Sequence, residues 1–410
     1  MIKRTIKEQI VQSIHNKPVT LVTGAWQVGK STLCYEMKKE YGFHYVSLDD
    51  LRERDQAIRD PELFLQLHPC PLIIDEIQYA PKLFDVIEAT VNREKLEKGE
   101  NSGMFILTGS QAYELMHGVS QSMAGRVAIV RMSPLSTREI YGCSEQKFEI
   151  DPSVSSLRSK DFTLGVRDLF SLIVRGMYPE LHANPHLNSA SFYSNYVDTY
   201  LERDVSQIIR LNEKLQFQNF MEALASLTGE ELVYDTLAKA VGVSVNTIKS
   251  WISVLVAGDI IYLLQPYNEL SITKRIVKRP KIYFNDTGLA CYLARLNNED
   301  VLMNSIFKGR YVETYIVNEI RKSFRNNGLQ DRFFFYRDNN QNEIDLVYVD
   351  QGTLHFVECK SGVDYSPKDI KAFKQLANSA YPIGASCVVC NTPTFYSIAK
   401  GVYALPITSI

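Results

Sequence analysis

The sequence predicts an α/β protein made of several units in series: a parallel α/β part, a helical middle and a second α/β part. Three observations carry this. Short apolar runs alternate with helix-like stretches through the first third of the chain. The pattern then turns helical. From about residue 280 it becomes strand-rich again. At 410 residues the chain is long enough for two or three domains.

Taken in order, "VTLVTG" reads as a strand running into a glycine loop, and "STLCYEMKKEYG" as the helix after it. "HYVSLDD" is a second strand. "CPLIIDEI" is a third, a continuous apolar run of the kind buried on both faces. "MFILTGS" and "RVAIVRMSPL" are the fourth and fifth. Expected divisions are 1–140 for this core, 141–215 for a helical lid, 216–279 for a helix-turn-helix and hairpin module, and 280–410 for the last α/β domain. In the last, "RFFFYRD", "NEIDLVYVD", "TLHFVECK" and "ASCVVCN" are strands, and "PKDIKAFKQLANS" is a helix between the final two.

"GAWQVGKS" satisfies G-x-x-x-x-G-K-[ST] with Gly24, Gly29, Lys30 and Ser31. The glycines let backbone N–H groups turn inward toward phosphate oxygens. Lys30 is expected on the β- and γ-phosphates, where it also serves catalysis. Ser31 is expected on Mg2+, and Thr32 is grouped with the nucleotide-contacting residues. A strand before and a helix after supply the context this motif needs.

Asp75 ends the apolar strand in "PLIIDEIQ", where a carboxylate is expected to hold the magnesium shell. Glu76 follows it and is the candidate general base. Two adjacent acids at a buried strand end are costly unless a metal or substrate uses them. "FILTGSQ" offers Thr108 and Ser110 to the γ-phosphate or the attacking water, and a turn built on Gly109 explains the same residues. Arg126, in "AGRVAIV", is a candidate for stabilising transition-state charge, in cis or in trans, or else a surface arginine.

The glycine loop, "LIIDEIQYAPKLFDVI", "FILTGSQAYELMHGVSQSMAGRVAIVRMSPLSTREI", "YLERDV" and "PKIYFNDTGLACYL" together resemble one group of bacterial and archaeal AAA-type ATPases. The C-terminal region of that group is a domain of unknown function. The resemblance covers nearly the whole chain. It implies a P-loop ATPase core with a glutamate-type catalytic centre, a helical and winged-helix middle, and a nuclease-like C-terminal fold. It implies ATP and Mg2+ as cofactors, and rings are frequent among AAA-type relatives. The group usually carries an arginine in the glycine loop where this chain has Trp26. "YLERDV" places Arg203 and Asp204 at positions the group keeps, with Arg203 either sensing nucleotide or forming a lid salt bridge.

In the middle, "LAKAVGVS" supplies a helix and a turn at Gly242, and Ser244 is positioned to cap the next helix, "VNTIKSWISVLVAGD". "IIYLL" begins a hairpin wing. In a DNA-binding version the second helix enters the major groove. Its predicted exposed face, Asn246, Lys249, Ser250 and Ser253, has one cation. The wing region is more basic, with Lys274, Arg275, Lys278, Arg279 and Lys281. DNA contact and internal packing are both open for this module.

The last domain holds Asp345 in one predicted strand and Glu358 and Lys360, as E-x-K, in the next. Residues two apart face the same side of a strand. Glu313 lies on the predicted helix "RYVETYIVNEI". This is the arrangement of the PD-(D/E)XK nuclease superfamily, a restriction-endonuclease-like fold. Asp345, Glu358 and Glu313 are the expected ligands of a divalent ion, and Lys360 the residue that orients water or stabilises phosphorane charge. A charged strand edge and a nuclease fold that no longer cuts are the alternatives.

Composition bounds the rest. Hydrophobic content is 45% and charged content 22%, ordinary for a globular chain. A formal net charge of −2 argues against a protein coated in basic charge. The seven cysteines form no framework, and Cys387 and Cys390 sit in an apolar run that reads as core thiols, not a redox or zinc pair. No signal-peptide pattern and no apolar run of about 18 residues is seen. The expectation is a cytoplasmic ATPase whose nucleotide state controls a nucleic-acid-binding, nuclease-like domain. A non-enzymatic switch and a DNA-binding regulator are its rivals.

Overall fold

The computed structural model describes residues 2–99, 101–109, 123–200, 213–267, 279–377 and 379–410. Two compact units emerge. One comprises Met1–Leu135 with Ala257–Asp259 and Asn326–Gly328, and the other Ser136–Val256, Ile260–Arg325 and Leu329–Ile410.

The first unit is built on five parallel strands: β1 (Val19–Thr23), β2 (His44–Ser47), β3 (Leu72–Asp75), β4 (Phe105–Gly109) and β5 (Val127–Arg131). They lie in the order β2-β3-β4-β1-β5. Every residue of β1, β3 and β4 is buried, which is why these segments are continuous apolar runs without alternation. Leu21, Ile74 and Leu107 of these strands share one core with Phe84 and Ile87 of the helix Leu83–Lys98. Register matters for function here. β4 lies between β1 and β3, with Val22 opposite Thr108 and Leu107 opposite Ile74. The carboxyl ends of the loop strand, the acidic strand and the Thr108 strand are therefore neighbours, the position where open parallel sheets bind ligands.

The second unit opens with a capping box, Ser136 with Glu139, on the short helix Thr137–Ile140. Its sheet has eight strands: β6 (Ile261–Pro266), β7 (Lys281–Phe284), β8 (Phe333–Arg337), β9 (Glu343–Asp350), β10 (Thr353–Cys359), β11 (Ser386–Cys390), β12 (Tyr396–Ala399) and β13 (Val402–Pro406). The order is β12-β13-β11-β10-β9-β8-β6-β7. Antiparallel β6 and β7 continue this sheet, because Gln265 and Pro266 pair with Phe334 and Phe335 of β8.

The helices Tyr234–Val241 and Val245–Ala257 meet at 102° across a turn at left-handed Gly242. Ser244 Oγ accepts the Thr247 N–H at 3.1 Å and caps the second helix as expected. Cys387 and Cys390 are both buried on β11. The stretch "PKDIKAFKQLANS" differs from expectation. It forms only a 3-10 turn over Lys371–Leu376, where Ile370 and Phe373 are both buried and the Phe373 N–H bonds Ile370 O. Apolar residues three apart eclipse in a 3-10 turn and do not in an α-helix. Among the described residues no single helix is long and apolar enough to cross a membrane.

Candidate functional site

The glycine loop is shaped by close backbone approach. Met132 N–H bonds Thr23 O at 2.7 Å. A Cβ on Gly24 would lie 2.1 Å from Met132 O, so no larger residue fits. Gly29 adopts φ 94° and precedes the helix Lys30–Tyr41, and the first N–H groups of a helix lack partners within it. Lys30 is buried, and its ammonium donates to Gly24 O at 2.9 Å and Ala25 O at 2.8 Å. The lysine thus closes the loop on itself, bonded to neutral carbonyls that a phosphate can replace. Thr32 is exposed on the first turn of the helix. Arg4 was not singled out by sequence reasoning, yet it clamps this region. Its guanidinium donates to Val28 O and Ser133 O, both at 2.7 Å.

Asp75 gathers three hydroxyls. Ser31 Oγ donates to its Oδ1 at 3.1 Å, Tyr45 OH donates to its Oδ2 at 2.8 Å, and Thr108 Oγ1 also donates to Oδ1. Sequence and structure agree that Ser31, Asp75 and Thr108 come together. Tyr45 is an addition, on β2, the neighbour of β3. Burial, and then the Asp75 charge, push its phenol well above the ordinary tyrosine value, so it stays a donor. Glu76 is buried and adopts φ 58°, ψ 47°, a left-handed conformation costing a non-glycine residue roughly 1–2 kcal/mol. Thr108 Oγ1 accepts its N–H at 3.2 Å, and Gln78 donates to its carboxylate. The strand end is thereby turned sharply and its acid held by a neighbour two residues on. Ser31 and Asp75, hydrogen-bonded to each other at adjoining element ends, are a hard-oxygen pair suited to Mg2+.

For Arg126 the structure speaks against the role in cis and leaves the other two readings. This residue precedes β5 at the opposite end of the sheet from the loop, and Val19 N–H at the start of β1 bonds its carbonyl. Its side chain pairs with Glu88 at 3.3 Å and Asn92 at 2.8 Å. A five-residue strand spans about 16 Å, so this arginine does not reach a nucleotide bound by its own chain. Ser110, Arg203, Asp204, Lys274, Arg275 and Lys278 lie outside the described residues.

In the second unit the acids of the C-terminal motif do assemble. Leu346 of β9 pairs with Val357 of β10, which sets Asp345 beside Glu358. Asp345 Oδ2 accepts the Cys359 N–H at 2.8 Å. Lys360 Nζ donates to Glu358 Oε1 at 2.7 Å, so both face one side as expected. Glu313, on the helix Lys308–Asn326, accepts from Tyr283 OH at 2.5 Å. Burial and the Asp345 charge raise the Glu358 carboxyl to about 8, against the opposing pull of Lys360. Glu313 rises to about 7, chiefly by burial, with Lys281 opposing.

Lys281 is a correction. The sequence places it among the basic wing residues available to DNA, but it is only 2% exposed. Its ammonium bonds Glu313 at 2.7 Å, contacts Glu343 and lies 3.9 Å from Asp345. Burial opposes its charge, but Glu313, Asp345 and Glu343 outweigh it and raise its proton affinity. Among the described residues, no group of three His, Cys, Asp or Glu side chains is arranged to hold a metal ion. The expected metal set of Glu313, Asp345 and Glu358 is therefore threaded by an ammonium.

Comparison with known proteins follows the same division. A family described as "AAA domain" matches residues 16–141. Two families described as domains of unknown function, DUF8612 and DUF4143, match residues 166–300 and 308–410. An uncharacterized protein of Mycobacterium tuberculosis is 25% identical over 358 residues, covering 87% of this chain and 74% of its own. One of Methanocaldococcus jannaschii is 24% identical over 322 residues, covering 68% and 63%. The Walker-type ATPase of Pyrococcus abyssi aligns over 72% of this chain and 96% of its own, with a TM-score of 0.45 and 13% identity. For Cdc6p of Pyrobaculum aerophilum the figures are 72%, 93%, 0.27 and 11%. The matched AAA segment contains the loop, Asp75, Glu76 and Thr108, so the N-terminal part is similar to AAA domains and has the parallel sheet and glycine loop of a P-loop NTPase.

Proposed function

We propose that the first unit binds ATP with Mg2+ and hydrolyses it, and that its nucleotide state controls nucleic-acid binding by the second unit. The observation that carries the first part is the hydrogen-bonded set Ser31–Asp75–Thr108, which joins the loop helix to two strand ends. Ser31 and Asp75 would hold the ion, which when bound neutralises charge on the β- and γ-phosphates. Lys30 exchanges its two carbonyl partners for phosphate oxygens. Thr108 holds the Glu76 backbone and Asp75 together. Glu76 accepts the proton of the attacking water, with Gln78 orienting its carboxylate. Calorimetry with Mg-ATP tests the binding step. Lys30→Ala should abolish the heat of binding, and an affinity equal to the parent's would remove the loop from the mechanism.

For the second part, the support is the 102° helix pair with Asn246, Lys249, Ser250 and Ser253 exposed on its second helix. A crossing angle in this range supports a helix-turn-helix reading, in which the second helix is the one that enters DNA. Exposed Arg279 flanks β7 and adds a cation. Each lost phosphate contact removes about 0.9 from the log–log salt slope of DNA affinity. Lys249→Glu with Arg279→Glu should flatten that slope by about 2. An unchanged slope assigns this face to packing.

A further inference from the structure

We infer that Lys281 is the built-in cation of the acidic pocket in the second unit, standing where a metal-dependent phosphodiesterase would hold a divalent ion, so that this pocket binds no catalytic metal. The inference is independent of the ATPase reading.

Four carboxylates meet here on one helix and two adjacent strands. Glu343 and Asp345 are two apart on β9 and share a face. Asp345 lies beside Glu358 of β10, and Glu313 comes from the helix. Carboxylates this close and this buried repel one another and need a cation. The structure supplies two lysines, and Arg337 lies 3.5 Å from Glu343 at the edge of the group. Lys281 enters from β7 and reaches Glu313, Glu343 and Asp345, and Lys360 bonds Glu358.

One carboxylate oxygen of each of Glu313, Asp345 and Glu358 is already engaged. Glu313 Oε1 accepts from both Lys281 and Tyr283. Asp345 Oδ2 accepts from Cys359 N–H, and Glu358 Oε1 from Lys360. An ion coordinated by these groups would have to sit beside the buried Lys281 ammonium. Removing that ammonium would leave a site of hard oxygens. One oxygen stands apart. Glu358 Oε2 is buried without a hydrogen-bond partner, which marks where an ion or water would enter if the pocket opened.

Thermal unfolding of the nucleotide-free full-length chain, with Ser31→Ala to disable the loop's own metal ligand, separates the two states. The Ser31→Ala parent should show the same melting temperature with and without millimolar Mn2+. Adding Lys281→Met should lower it by several degrees, and Mn2+ should restore part of that loss. A further Asp345→Asn should abolish the restoration. Saturable Mn2+ binding by the Ser31→Ala parent, seen by electron paramagnetic resonance and lost with Asp345→Asn, would overturn the assignment. So would a Lys281→Met chain that folds and ignores Mn2+. The parent measurement needs no change in the pocket, and it decides the matter if Lys281→Met fails to fold. Because no nucleotide is present, either result leaves the ATPase reading untouched.

Discussion

The two units each bring a buried lysine and a set of acids to one place, and they use them in opposite ways. In the first, Lys30 bonds backbone carbonyls, and Asp75 is met among the described residues by hydroxyls. The carbonyls on Lys30 and the hydroxyls on Asp75 are neutral dipoles, which leave the charge they solvate able to attract a ligand of opposite sign. In the second, Lys281 bonds the carboxylates directly, and the charges cancel within the fold. The residue types are the same. What differs is whether the partner is a dipole, which a phosphate or an ion can displace, or a full charge, which it cannot.

The largest expected difference follows from that contrast. Lys281→Ala strands buried carboxylates and should cost about 3–5 kcal/mol of stability. Lys30→Ala removes an ammonium hydrogen-bonded to the Gly24 and Ala25 carbonyls, and about 1 kcal/mol per lost bond is expected. Denaturant titration of both variants measures the gap, and equal losses would erase the distinction between the two sites.

A smaller effect sharpens the same comparison through pH. In the folded chain the Glu358 carboxyl is raised from 4.5 to about 8, first by burial and then by Asp345. The folded state therefore keeps a proton that the unfolded chain has released. Its contribution is fully present below pH 4.5 and is lost as pH rises toward 8, at up to about 1.4 kcal/mol per pH unit. Glu358→Gln cannot titrate, so its stability should fall less over that window. Parallel stability curves for variant and parent would assign the pocket a different proton balance.

The contrast also explains what the sequence made legible. The three central strands of the first sheet, β1, β3 and β4, were readable because strands buried on both faces are written as unbroken apolar runs. Gly24, Gly29, Lys30 and Ser31 were readable because one local turn needs them at fixed spacing. Tyr45 and Arg4 were not, since a tyrosine bonded to Asp75 across a strand pair and an arginine bonded to Val28 O leave no local pattern. The place of Arg126 just before β5 was legible, and in a parallel sheet that is the end away from the loop.

Lys281 shows the sharper limit. In "KRPK" it reads as one more surface cation, and only the ribbon formed by β6 and β7 buries it beside Glu313. The neighbouring "NDTG" was legible as a motif without a reason. The structure gives one: Asp286 caps the helix Thr287–Leu293 and also accepts from Tyr193 OH at 2.7 Å and Met177 N–H at 2.7 Å.

The most direct test of the whole account is steady-state ATP turnover by Glu76→Gln, with nucleotide affinity measured alongside. Glu76 sits in a strained turn at the end of β3, held by Gln78 and Thr108. The amide keeps that shape and cannot accept the proton of the attacking water. Turnover should fall by about 10²–10⁴-fold while Mg-ATP still binds. Turnover within a few-fold of the parent, at unchanged affinity, would contradict the assignment of this strand end as the hydrolytic centre.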